Sequence, residues 1–194
     1  NDMPYDQFLQ EQIAGDLLPY NTPAQRDRQL IATGYLMVAP KMLTERNKIK
    51  MRLDIADEQV DTIGRSIMGL TLGCARCHDH PYDRWTQDDY ESMRKFLSVI
   101  EFRDVSGGIE LFDVARNSGR SSSGPRFLTG AVPKTQAWRR EMALLTVKSK
   151  PFARSVGNRV WQFLMGRGIV NPVDGLSQQQ LPSIPKLHDA LAED

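Results

Sequence analysis

Cys74-Ala75-Arg76-Cys77-His78 constrains this chain more than any other stretch, because one short turn must present two thiols and an adjoining imidazole together. C-x-x-C-H is the spacing at which two cysteines reach the vinyl groups of one porphyrin while the histidine ligates its iron, the attachment of haem c. Cys74 and Cys77 are the only 2 cysteines, so no other sulfur competes for that role. The same spacing admits a reducible Cys74–Cys77 pair and a non-haem zinc or iron site built from Cys74, Cys77, His78 and His80. That donor set is soft to borderline and suits either metal. Four ligands so close together demand a tight knuckle, however, whereas structural zinc sites generally draw ligands from two separated segments. His80 beside Pro81 also suits a capping or supporting role, and Asp61, Asp79 and Asp83 suit helix-end charge or solvated surface.

The rest of the chain reads as helices interrupted once. Asp2 ahead of Pro4 is a candidate N-cap, with Phe8, Leu9, Ile13 and Leu17 at helical spacing up to Pro19. Asn21-Thr22-Pro23 starts a second helix that places Leu30, Ile31 and Tyr35 on one face. A third, from Ile55 to Leu72, carries Val60, Ile63, Ile67 and Leu70 and delivers the chain through Gly73 into the C-x-x-C-H turn. Thr86 then caps a fourth helix bearing Tyr90, Met93, Phe96 and Leu97. From Arg103 to about Lys134 the pattern gives way to Ser/Gly-rich sequence, within which Ile109, Leu111, Phe112 and Val114 suggest one short strand. Helical spacing returns from Gln136 to Val147. Ser149-Lys150-Pro151 opens another helix, with Phe152, Val156, Val160, Phe163 and Leu164 expected inward and Gly166 as its stop. Ser183-Ile184-Pro185 begins a last one. The expected fold is therefore mainly α: a helical module over 1–102 with the C-x-x-C-H turn between two helices, a flexible or irregular connection over 103–134, and a second, truncated helical module over 135–194.

Composition narrows the class. Hydrophobic residues make up 40% of the chain and charged residues 25%, near the average for a folded domain. No run of eighteen apolar residues is present, so no transmembrane segment is expected. A formal net charge of +1, with modest opposite leanings in the two halves, gives no basis for nucleic-acid binding. Asn1 to Asp6 has neither a basic nor an apolar leader region, and the chain opens inside a helical pattern, as a fragment of a longer polypeptide would.

Several strings together resemble a known family. Pro4-Tyr5-Asp6 with Phe8, Gln12-Ile13-Ala14-Gly15-Asp16-Leu17-Leu18-Pro19, Ala32-Thr33-Gly34-Tyr35, and Val60-Asp61-Thr62 leading to Gly69-Leu70-Thr71-Leu72-Gly73-Cys74-Ala75-Arg76-Cys77-His78-Asp79-His80 are similar to the planctomycete cytochrome C module. Pro151-Phe152-Ala153-Arg154, Asn158-Arg159-Val160-Trp161-Gln162, Gly166-Arg167-Gly168-Ile169-Val170 and Pro182-Ser183-Ile184-Pro185-Lys186-Leu187 resemble the start of its usual companion module. Two places depart from the pattern. Pro81-Tyr82-Asp83 stands where relatives usually carry Lys-Phe-Asp, and Phe163-Leu164-Met165 replaces a histidine common after the Trp-Gln pair.

The resemblance implies a haem c-binding electron-transfer or redox domain of a larger, exported, bacterial protein, periplasmic or otherwise outside the cytoplasm. Its partner would be a redox protein or other domains of the same polypeptide. Cys74 and Cys77 would form the thioethers and His78 the proximal iron ligand. Met93, Met142, Met165, His188 and, less readily, Met68 are the side chains available for the sixth position, which an open site also satisfies. Arg154 and Arg159 could pair a haem propionate, although a buried Trp161 with solvated arginine neighbours is the plainer reading. No catalytic residue and no enzyme class follow from the sequence. The alternatives are the non-haem zinc or iron domain and a non-catalytic binding module.

Overall fold

The computed structural model describes residues 2–38, 45–106, 108–114 and 124–193. Among these the protein is mainly α-helical, with seven α-helices and one two-stranded hairpin. The chain groups into two compact units, neither continuous in sequence: Asn1–Gln59 with Ser92–Leu145, and Val60–Glu91 with Thr146–Asp194.

The first unit begins with α1 (Tyr5–Ala14), which buries Leu9 and Ile13 and tightens into a 3-10 turn at Gly15–Leu17. Pro4, not Asp2, occupies the N-cap position, without a side-chain cap. Its ring fixes φ but offers no acceptor, so the side-chain cap expected from Asp2 does not form. α2 (Pro23–Ala32) starts as the sequence predicts: Thr22 Oγ1 accepts the Gln25 N–H at 3.1 Å. Its inward face differs from expectation. Ile31 is 78% exposed while Gln29, Thr33 and Leu36 are buried, because Gln29 reaches the Pro19 carbonyl and its burial thereby satisfies a loop carbonyl. α3 (Lys48–Ile63) starts a full two turns before Ile55, where Asn47 Oδ1 accepts the N–H groups of Ile49 and Lys50. Its early turns carry exposed Ile49 and Leu53, so apolar periodicity did not mark the start.

α4 (Gln87–Leu97) has the capping box its sequence suggests. Thr86 Oγ1 accepts the Asp89 N–H and Asp89 Oδ2 accepts the Thr86 N–H. Tyr90, Met93, Phe96 and Leu97 are all buried. The chain then forms β1 (Ile100–Val105), antiparallel to β2 (Gly108–Asp113), in register from Ile100 opposite Asp113 to Val105 opposite Gly108. The strand expected near Ile109 is therefore β2, and its partner occupies the end of the first module and the start of the expected irregular connection. Residues 107 and 115–123 of that connection lie outside the described residues. α5 (Trp138–Val147) carries Arg139, which is 0% exposed and donates to Asp16, Asp113 and the Ile13 carbonyl.

In the second unit, α6 (Lys150–Met165) is capped by Ser149 and stopped by Gly166 at φ 78°, as predicted. Its packing face departs from the expected one over the second half of the helix, while Phe152 and Val156 are half-buried. Val160, Phe163, Leu164 and Met165 are exposed, whereas Ser155 and Asn158 are fully buried. Asn158 exchanges two 2.9 Å hydrogen bonds with the backbone of Val170, and Arg159 donates to the Arg65 carbonyl at 2.7 Å. The helix is thus docked by polar residues that satisfy irregular backbone. α7 (Pro185–Ala190) follows, with Pro185 in its first turn and no side-chain cap.

Candidate functional site: the Cys74–His78 turn

α3 widens at its end into a π-helical turn, Gly64–Met68, and terminates at Gly69 with φ 67°, a left-handed value that glycine adopts without steric cost. The Gly69 carbonyl accepts the Leu176 N–H at 2.6 Å. Leu72–Ala75 then forms a 3-10 turn in which Leu72 and Ala75 are fully buried. With those two anchored inward, Cys74, Cys77 and His78 are left exposed. The C-x-x-C-H turn does lie between two helical segments, as its sequence predicts.

Three carboxylates hold this turn. Asp61 Oδ1 accepts the Gly73 N–H at 3.2 Å while its Oδ2 accepts from Arg65 Nε at 2.8 Å. A Cβ at residue 73 would lie 2.6 Å from Asp61 Oδ1, so any other residue there would push the carboxylate off the Gly73 N–H. Asp79 Oδ1 accepts the Gln87 N–H at the start of α4, and the Gln87 side chain donates back to the Arg76 carbonyl. Asp83 accepts the adjoining Arg84 N–H. The sequence predicts helix-end charge or solvated surface for these aspartates; Asp79 does meet the first turn of α4, while Asp61 and Asp83 hold backbone N–H groups outside the α-helices. Asp61 is also the main reason the Arg65 guanidinium is held above its ordinary pKa; the neighbouring Cys74 adds a smaller contribution.

The two histidines are in opposite states. His80 is buried, and both ring nitrogens are engaged: Nδ1 accepts the Tyr82 N–H at 3.1 Å, so the proton of the neutral ring resides on Nε2, which donates to Thr71 Oγ1 at 2.9 Å. His78 is exposed, and its Nδ1 lies 2.7 Å from the Asp79 carbonyl. A carbonyl can only accept, so Nδ1 bears the proton and the Nε2 lone pair of the neutral ring is free. Among the described residues no group of three or more His, Cys, Asp or Glu is arranged to hold a metal ion, and Cys74, Cys77, His78 and His80 form no such group. Beside Cys74 lies a cavity of about 440 Å³ whose walls include Arg65, Thr71, His80, Tyr82 and Asp174.

The remaining candidates are scattered. Met93 and Met142 are fully buried in the first unit; Met68 is fully buried and Met165 exposed in the second. His188 is buried, with Nε2 3.3 Å from the Arg154 carbonyl. Arg154 pairs with Asp189, Arg159 is committed to Arg65, and Trp161 is half-buried rather than enclosed. Sequence reasoning missed Thr71, Arg65 and Gln87, which fix the turn through tertiary hydrogen bonds that leave no periodic signal.

Fold and site together define a helical protein that displays a C-x-x-C-H turn on its surface. Residues 1–102 match the family model PSCyt2, a protein of unknown function (DUF1549), and residues 139–194 match PSD1, a protein of unknown function (DUF1553). The first match takes in more than half of the chain, and the chain belongs to the PSCyt2 family. No curated protein and no solved structure matches it. No helix among the described residues is long and apolar enough to cross a membrane.

Proposed function

We propose that this chain is a haem c-binding electron-transfer or redox domain of a larger exported protein, with Cys74 and Cys77 as the points of thioether attachment and His78 as the proximal ligand. The observation that carries the reading is the state of His78. Its Nδ1–H is committed to a backbone carbonyl, its Nε2 is free, and it stands on the same exposed turn as two free thiols. Metal-binding imidazoles are oriented in this way, by a hydrogen bond from the other ring nitrogen. The residues present therefore fit the group. Haem, when bound, supplies reversible one-electron exchange at its iron. The chain's own contribution is to hold the turn: Asp61 and Gln87 secure backbone on either side of it, and His80, with both nitrogens occupied, supports it rather than serving as a ligand. Arg65 places a fixed positive charge beside Cys74.

Protein produced with a cytochrome c maturation system should gain the mass of one haem that survives denaturation and should show the absorption bands of reduced haem c. His78→Ala should retain the added mass and alter the iron spectrum. An unchanged mass, with both thiols still titratable, would sink the reading.

A further inference from the structure

The second unit contains another pocket, about 380 Å³ in volume, at the N-terminal end of α6. Its walls include Arg84, Trp85, Lys150, Arg154, Gln180 and His188. Six buried side-chain polar atoms lack a hydrogen-bond partner among the described residues, and three of them belong to residues that line this pocket: Trp85 Nε1, Arg154 Nε and Gln180 Oε1. A buried polar group left unpaired is destabilising, and native structures carry few of them. Their concentration around one pocket is the mark of a site completed by something other than this chain.

The chemistry of the wall selects the ligand. Two of the three atoms are N–H donors, and Trp85 is only 5% exposed. The outer Arg154 nitrogen is held by Asp189, which fixes the guanidinium, and the Arg84 guanidinium lies 4.5 Å from the centre of the Trp85 ring, covering its face. Lys150 stands exposed at the rim. Arg84, Lys150 and Arg154 outnumber Asp83 and Asp189 among the lining charges. Such a wall attracts an anion and offers it N–H donors, while Gln180 Oε1 requires a donor in return. We propose that this pocket binds a small hydroxylated anion, with carboxylate or phosphate oxygens received by Trp85, Arg154 and Lys150 and a hydroxyl received by Gln180. The volume falls within the ordinary range for small-molecule sites. No residue of the C-x-x-C-H turn lines this pocket.

The test follows the indole N–H resonance of Trp85 in ¹⁵N-labelled protein, assigned by its loss in Trp85→Phe. Gluconate, inorganic phosphate and glycerol are titrated in turn to about 10 mM, above which the implied binding energy falls below ~3 kcal/mol. Gluconate should shift the resonance saturably, phosphate should do so more weakly because it lacks the polyol arm, and neutral glycerol should not. Lys150→Gln should weaken gluconate several-fold and Arg154→Gln by about tenfold or more, the 1.4 kcal/mol scale of one lost charged contact. Lys150 is exposed, so its variant remains informative if Arg154→Gln fails to fold. No saturable shift with either anion, equal response to glycerol, or affinities unchanged in both variants would overturn the proposal.

Discussion

Two histidines two positions apart have divided the work of one motif, and the division is set by a single backbone partner each, an acceptor for His78 and a donor for His80. The Asp79 carbonyl takes the His78 proton and frees Nε2; the Tyr82 N–H occupies His80 Nδ1 and sends its proton toward Thr71. His80→Ala should therefore lower stability by about 1–3 kcal/mol, the cost of emptying a buried site and losing its two hydrogen bonds, whereas exposed His78→Ala should stay within about 0.5 kcal/mol. Urea midpoints of the haem-free protein decide it, and equal effects would mean that the two roles are misassigned. His188 gives a pH dependence. Burial is the main cause that pushes its pKa below the ordinary 6.5. A depressed histidine contributes stability above its unfolded pKa and loses it as pH falls through 6.5 toward the folded value. The stability advantage of the wild type over His188→Gln should thus shrink on going from pH 7 to pH 5, as read from paired denaturation curves. The C-x-x-C-H turn was legible because its chemistry is local; the role of His80 was not, because Thr71 is nine residues away and nothing in the spacing announces it.

At the scale of elements, α6 separates what periodicity can establish from what packing decides. Its cap, its stop and its length follow from Ser149, Pro151 and Gly166, all local signals. The C-terminal part of its apolar stripe, Val160, Phe163 and Leu164, nevertheless faces outward, since the side that docks must meet the backbone of Val170 and Arg65, whose groups demand hydrogen bonds. Gly157 belongs to the docked arrangement as well: a Cβ there would come within 3.2 Å of the Leu191 side chain. Asn158→Ala should cost about 2–4 kcal/mol by leaving two buried backbone groups unpaired, and Phe163→Ser, at a residue 89% exposed, should cost no more than about 0.5 kcal/mol. Thermal melts of the two variants are the check; the reverse order would restore the inward stripe that the sequence suggests.

At the scale of the molecule, sequence modules and contact units do not coincide. The family matches cover 1–102 and 139–194, and the modules we propose follow that order, yet the first unit needs Asn1–Gln59 together with Ser92–Leu145. Arg139 shows why. Its fully buried guanidinium binds Asp16 and Asp113 and caps the Ile13 carbonyl, so each carboxylate depends on a residue far along the chain. A buried charge left without its partner is strongly destabilising, about 3–5 kcal/mol. A polypeptide ending at residue 102 also lacks β2, Phe127 and Met142. It should retain helical circular dichroism but melt without cooperativity and give poorly dispersed amide resonances, whereas the whole chain should melt cooperatively with well-dispersed amides. A sharp transition in the fragment would establish the first module as self-sufficient.

The sequence by itself determined the helical class, the caps at Thr22, Thr86 and Ser149, the stop at Gly166 and the one turn that carries chemistry, because each depends on residues within a few positions of one another. Only the tertiary structure decided which face of α2 and α6 is buried, that Ile100–Val105 is a strand, which histidine keeps a free nitrogen, and where unpaired donors gather around a second pocket. Those outcomes depend on backbone groups brought together from distant segments, and the need to satisfy them outweighed the apolar pattern wherever the two conflicted.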